Sequence, residues 1–330
     1  MKKYLLEKRI FIIILLPFYI AILFLTTIRQ DYSILLPGDI TPVVDKVFVE
    51  NSYEQTGTIN SVYVFSLPRT TLVMNRFASL LVGTDINQMG DSYSLLTPEE
   101  IKTRGKISYD TGMQYSIIHA YDSAGMSLDY ALDGVLVSYI YKDVLVGDLQ
   151  IGDRITAVNG VETVNISDFF DALEDLESAT FTTDRGDVFL ERQDVEGVSK
   201  FGFVIKYNYE FQSSSPAFEI TETSTMGSSG GLLQTLSLFN QLTEIDFTYG
   251  LTIAGTGTIT KEGYVGVIGG IEQKIIAANR EKVDIFFVPS GNFESAFTTW
   301  DKINSNMKLV KVDTFLDAIN YLKEYGDENA

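Results

Sequence analysis

The chain has 330 residues, 45% of them hydrophobic, with a formal net charge of −19, a single histidine and no cysteine. That length leaves room for two or three small domains plus an apolar anchor. The acidic balance excludes nucleic acid as a partner, because phosphate contacts need a basic surface, and the missing cysteine excludes a thiol nucleophile.

Residues 1–9 carry Lys2, Lys3, Lys8 and Arg9, and residues 10–28 then form an uncharged apolar run closed by Arg29 and Asp31. A run of about 20 such residues spans a bilayer as a transmembrane helix, and Pro17 inside it is tolerated there. The basic flank puts residues 1–9 in the cytoplasm of a single-pass membrane protein and the bulk of the chain outside the cell membrane. A cleaved signal peptide is the competing expectation. Phe24 to Ile28 offer no small-x-small cleavage site, which favours an uncleaved anchor. Zero cysteines suits an extracytoplasmic chain that does without disulfides.

Residues 31–125 read as a mixed α+β region. Val43–Glu50 and Gly57–Leu67 alternate apolar and polar residues, as half-buried strands do. Thr97-Pro98-Glu99-Glu100 is a helix start, with a threonine cap, proline in the first turn and acids on the positive end of the dipole. Met113, Ile117, Ala120 and Tyr121 mark another amphipathic helix, ending near Gly125. His119 lies on it without a second histidine or a cysteine to share a metal, so no metal site and no cofactor is expected.

Residues 126–207 carry a strand at Gly134–Ile140. After it comes Leu149-Gln150-Ile151-Gly152-Asp153-Arg154-Ile155-Thr156-Ala157-Val158-Asn159-Gly160, in which Asn159-Gly160 predicts a tight turn. Asn165 or Ser167 caps a helix with Phe169, Leu173 and Leu176 on one face, and strands follow at 179–183 and 201–207. The Gly-Asp-x-Ile-x-x-Val-Asn-Gly core resembles that of PDZ domains. The resemblance implies peptide capture by strand addition, in a groove lined by Val135, Val137, Tyr139, Phe169 and Leu173. A segment that only spaces its neighbours is the alternative.

Residues 208–330 hold the chemistry. Gly227, Ser228, Ser229, Gly230 and Gly231 form a turn that opens into a helix with Leu232, Leu236 and Phe239 on one face. A hydroxyl there lies beside unpaired N–H groups and the positive helix end, where an oxyanion can be held. A serine that merely caps the helix has the same signature. After Gly269-Gly270 a second helix presents Ile271, Lys274, Ile275 and Ala278 as its core-facing stripe. A buried lysine tends to lose its proton and can then act as a base, unless its stem carries the ammonium to water. With one remote histidine and no cysteine, serine and lysine are the simplest nucleophile and base available. Asp284–Pro289 reads as a buried strand, and Asp313 or Thr314 caps a last helix.

These two motifs resemble the proteolytic domain of Lon-type serine proteases, and in particular the membrane-anchored, PDZ-containing Lon-like proteins of Gram-positive bacteria. Position by position, the resemblance makes Ser229 the nucleophile, Lys274 the base and Thr256, in Gly255-Thr256-Gly257, the residue that positions the lysine. Gly227, Ser228 and Gly230 form the oxyanion loop. Ser228 stands where the family has proline and Gly230 where it has alanine. The chain lacks a glycine-rich Lys-Ser or Lys-Thr phosphate loop, so turnover should need no ATP. The resemblance implies a hexameric ring and an extracytoplasmic serine endopeptidase acting on secreted or membrane-associated peptides or proteins. A catalytically degenerate PDZ adaptor is the alternative.

Overall fold

In the computed structural model, which describes residues 2–195 and 197–329, the chain opens with helix α1 (Lys2–Thr27). The expected cytoplasmic segment 1–9 and the first residue of the expected span, Ile10, lie outside the residues whose side chains are described. From Phe11 to Leu25 the large apolar side chains of α1 are exposed. Among the described residues, no helix is long and apolar enough to cross a membrane.

The next elements are β1 (Tyr32–Pro42), a 3-10 turn (Val43–Asp45), β2 (Val47–Val49), β3 (Thr58–Pro68), α2 (Leu72–Ala78), β4 (Asp85–Gln88), α3 (Asp91–Ser94) and α4 (Pro98–Ala124). The strand expected over 43–50 is therefore a turn and a three-residue strand. The two helices expected after Thr97 are one helix of 27 residues. It starts on a full capping box between Thr97 and Glu100 and stops at Gly125, whose φ of 66° is left-handed. No proline breaks it, and Gly105 and Gly112 inside it permit the close approach described below.

A separate antiparallel sheet follows. Its strands are β5 (Ser127–Ile140), β6 (Arg154–Val158), β7 (Val161–Glu162), β8 (Ser178–Thr183), β9 (Gly186–Glu191) and β12 (Phe203–Ser215), in the order β12-β5-β6-β8-β9 with β7 on β6. Helix α5 (Ile166–Asp171) and the small hairpin β10 (Gln193–Val195) and β11 (Val198–Lys200) complete it. Asn159 and Gly160 both have positive φ, as the turn between β6 and β7 requires. Asn165, not Ser167, caps α5. Asp153 is buried and accepts from Arg185 Nε at 2.6 Å and from the Gln150 N–H at 2.8 Å, so the Gly-Asp pair ties two loops together.

The chain then runs through β13 (Phe218–Ile220), α6 (Gly231–Leu242), β14 (Thr252–Gly255), β15 (Thr258–Ile259), β16 (Val265–Gly266), α7 (Ile271–Arg280), β17 (Ile285–Pro289), α8 (Phe293–Lys302), β18 (Lys308–Val312) and α9 (Phe315–Asn329). The main sheet has the order β18-β17-β14-β3-β1-β4. β3 pairs with β14 in parallel, through Thr58 to Ser61 and Thr252 to Gly255. Strands from before residue 124 and after residue 208 thus share one sheet, and the boundary expected between 31–125 and 208–330 cuts through it. The 126–207 segment is an insertion. It leaves and returns on the paired strands β5 and β12, so its ends lie side by side.

Both faces of β17 are covered, which is why it reads as a continuous apolar run. Ile285 and Phe287 pack with α4, α6 and α9, while Phe286 and Val288 pack with α7 and α8. α6 is buried all round rather than along one stripe, with Gln234, Thr235 and Ser237 as enclosed as Leu232, Leu233 and Leu236. Truncating such a leucine to alanine typically costs about 2–5 kcal/mol. Thr314 caps α9, accepting from the Asp317 N–H at 3.2 Å.

Candidate active site

Three elements converge at the carboxyl end of β14. Ser229 lies on the loop before α6, Thr256 directly follows β14, and Lys274 is in the first turn of α7. The predicted stripe of α7 is buried at every position, from Ile271 through Lys274 and Ile275 to Ala278. Lys274 is 2% exposed, which rules out a stem that carries the ammonium to water. Its Nζ lies 2.8 Å from Ser229 Oγ and 2.8 Å from Thr256 Oγ1. Burial pushes its pKa down to about 7, and the charge of Lys46 adds to the effect.

The loop is held from behind. Thr256 Oγ1 donates to Ser229 O at 2.9 Å, and the Gly257 N–H donates to the same oxygen at 2.9 Å. The Leu232 N–H returns a bond to Gly257 O at 3.1 Å. The serines do not cap α6, which has no side-chain cap bond at its N-terminus. Among the described residues, no group of the chain accepts from the N–H of Ser229 or Gly230. The same holds for the N–H of Ser228, so the loop around Ser229 has N–H groups that a developing oxyanion could use.

Gly227 and Ser228 take other positions than expected. The Gly227 N–H donates to Gly105 O on α4 at 2.8 Å and so is occupied. Ser228 packs its Cβ towards α4, where a Cβ on Gly112 would meet it at 2.9 Å. Gly105 likewise leaves room for Met226, whose Cβ would lie 2.9 Å from an added one. The long helix α4 thus passes directly under the serine loop, and its two glycines permit the contact. Ser116 on the same helix lies at the contact with α6: its Oγ is 2.8 Å from Gly112 O, 3.1 Å from Gly231 O and 3.2 Å from Gln234 Oε1. Gly105, Gly112 and Ser116 escaped the sequence reading because nothing local marks them; only the pairing of α4 with α6 does. Lys46 escaped it too, since its neighbours read as an ordinary strand.

His119 is remote from this chemistry, with Nδ1 3.1 Å from Lys261 O and its ring edge-on to Phe315.

The five residues expected to line a peptide groove do not share one surface. β12 pairs along one side of Val135–Ile140, while on the other side β6 pairs with Val135 and Leu136 and the loop at Gly152 and Asp153 bonds to Val137. Val135 and Val137 are enclosed in the core of the insertion. A register shift in the β5–β12 pairing falls between Val137 and Tyr139, and Tyr139 turns towards α4, under the Arg104 guanidinium. Phe169 and Leu173 do line a cavity of about 530 Å³, bounded by α5 and by Phe201, Phe203 and Ile205 at the start of the edge strand β12.

Residues 221–323 match the C-terminal proteolytic domain of Lon protease (S16). The Lon protease of Neorickettsia sennetsu is 27% identical over 125 residues, which is 37% of this chain and 14% of that protein. That of Metamycoplasma arthritidis is 28% identical over 127 residues, 38% of this chain and 15% of its own. That of Aster yellows witches'-broom phytoplasma is 30% identical over 94 residues, 28% and 12%. The chain therefore spans only 12–15% of the length of these relatives. Ser229, Thr256 and Lys274 all fall inside the segment that matches this peptidase domain.

Proposed function

We propose that the chain is a serine endopeptidase with a Ser229–Lys274 dyad, working without ATP on peptides or proteins outside the cell membrane. The observation that carries the proposal is the 2.8 Å approach of a buried lysine Nζ to Ser229 Oγ. Neutral Lys274 removes the hydroxyl proton as Ser229 Oγ adds to the substrate carbonyl carbon. The tetrahedral oxyanion accepts from the N–H groups of Ser229 and Gly230. As the C–N bond breaks, the lysine ammonium passes its proton to the leaving amine. Water, deprotonated by the same lysine, then attacks the acyl-enzyme ester and releases Ser229. Thr256 keeps the lysine aimed by holding both Nζ and the serine carbonyl.

The insertion fits peptide capture as a PDZ-like module, with β12 as the free edge and the Phe169 cavity as a side-chain pocket. A hexameric ring forms part of the proposal through the resemblance alone. An adaptor without chemistry is the rival reading, favoured by that same cavity. The two separate on incubation of the full chain with unstructured proteins and no nucleotide, followed by mass spectrometry. The proposal expects discrete fragments, fewer from long substrates when Phe170→Asp charges the exposed rim of the cavity. Intact substrates throughout would leave only the adaptor.

For the anchor, we propose that the exposed apolar residues of α1 enter the bilayer behind the basic residues 2–9. The full chain is then expected in the membrane fraction, with residues beyond 31 shaved by protease added outside the cell. Recovery of intact chain from the medium, starting after residue 28, overturns it.

A further inference from the structure

Lys46 is a second enclosed lysine near the dyad, and the mechanism above leaves it unused. It lies between the 3-10 turn and β2 and is 7% exposed. Among the described residues its ammonium has no hydrogen bond and no ion-pair partner; burial pushes its pKa down, and the charge of Asp45 opposes that through space. The stem is thus enclosed while the ammonium, which is not among the fully buried polar atoms, keeps some access to solvent and is available to an incoming anion.

The place where Lys46 sits suggests the source of that anion. It lines a cleft of about 710 Å³ between Tyr63–Ser66 of β3 and the extended segment 221–226. The segment 221–226 is tied to Lys46 itself by the Thr221 N–H donating to Lys46 O at 2.9 Å. β14 pairs with β3 only as far as Ser61, so the edge of β3 along the cleft is open to an extended peptide on that side. The segment 221–226 runs directly into Gly227, Ser228 and Ser229, and the Lys46 charge reaches Lys274. Asp45 and Glu222 also border the cleft, but both are exposed and neither forms an ion pair with Lys46.

We propose that Lys46 is an acid-selective substrate subsite, whose ammonium receives a carboxylate of the bound peptide close to the scissile bond. This rests on the peptidase reading. The carboxylate comes from an Asp or Glu side chain or from the peptide C-terminus, and either would give a charge-assisted hydrogen bond in an enclosed site.

The test uses the full chain with two matched peptide series. One exchanges Asp and Glu for Asn and Gln around the cleaved bond; the other exchanges a free C-terminus for an amide. Labelling of Ser229 by a fluorophosphonate is followed in parallel. The expected result is about tenfold higher kcat/KM for the carboxylate member of one series, the size of one charge-assisted bond. The series that responds identifies the source. Lys46→Met, which keeps the stem, is expected to remove the preference while still being labelled, and Lys46→Glu to favour peptides with lysine at the same position. Equal cleavage of both members by the labelled wild-type chain overturns the subsite. So does a preference that survives in Lys46→Met, or a loss in that variant that is equal for all peptides. Absence of both labelling and cleavage overturns the peptidase reading, and the subsite with it.

Discussion

Ser229→Ala is expected to lower hydrolysis by at least about a thousandfold, because no other group can form the acyl-enzyme once the hydroxyl is gone. Ser228→Ala is expected to keep most of the activity. The contrast is a consequence of where the two side chains point. Ser229 Oγ lies 2.8 Å from Lys274 Nζ, whereas the Ser228 Cβ faces Gly112 on the opposite side of the loop. Kinetics on a single peptide decide the matter. A dead Ser228→Ala beside an active Ser229→Ala would mean that the register is wrong by one residue.

Lys274→Arg is expected to be as inactive as Lys274→Met, since a guanidinium keeps its proton and cannot act as the base. On the proposed mechanism the base in the wild-type chain is the neutral form of Lys274, whose pKa burial pushes down to about 7. The rate should therefore rise with pH, to half of its plateau near pH 7 and about a tenth of it one unit lower. The same shift has a cost in stability. The folded-state pKa lies below the unfolded value of about 10.4, so between roughly pH 7 and pH 10 the unfolded chain binds the extra proton. Stability contributed by this site is full above pH 10 and lost as pH falls towards 7. The loss is on the order of 4 kcal/mol. Lys274→Met, which removes the titrating group, is expected to melt higher than the wild type at pH 7 and to narrow the gap at pH 10. Thr256→Val should stay folded and lose roughly tenfold in kcat, about one hydrogen bond's worth of positioning. A fully active Lys274→Arg would end the dyad mechanism.

How much of this was legible beforehand differs by element. The lysine helix was readable residue by residue, because a charged side chain inside a strict i, i+3, i+4, i+7 apolar stripe has few explanations. The capping box at Thr97 and the turn at Asn159-Gly160 were equally local signals. The site itself was only half legible. Thr256 and Lys274 are close in sequence, but the partners that shape the serine loop are Gly105, Gly112 and Ser116, more than a hundred residues away on a helix whose contacts no periodicity reveals. The same limit applied to the groove. The residues of β5 alternate as a half-buried strand should, yet one register shift against β12 turns Tyr139 out of phase with Val135 and Val137. The parallel pairing of β3 with β14 joins segments on either side of the insertion, and sequence order hides such neighbours.

The central claim is that Lys274 makes Ser229, and not Ser228, nucleophilic. Its most direct test is peptide mapping by mass spectrometry after the full chain reacts with a fluorophosphonate at pH 8. The account predicts one adduct, on Ser229, absent from Lys274→Met. An adduct on Ser228, or one on Ser229 that forms equally fast without the lysine, would contradict it.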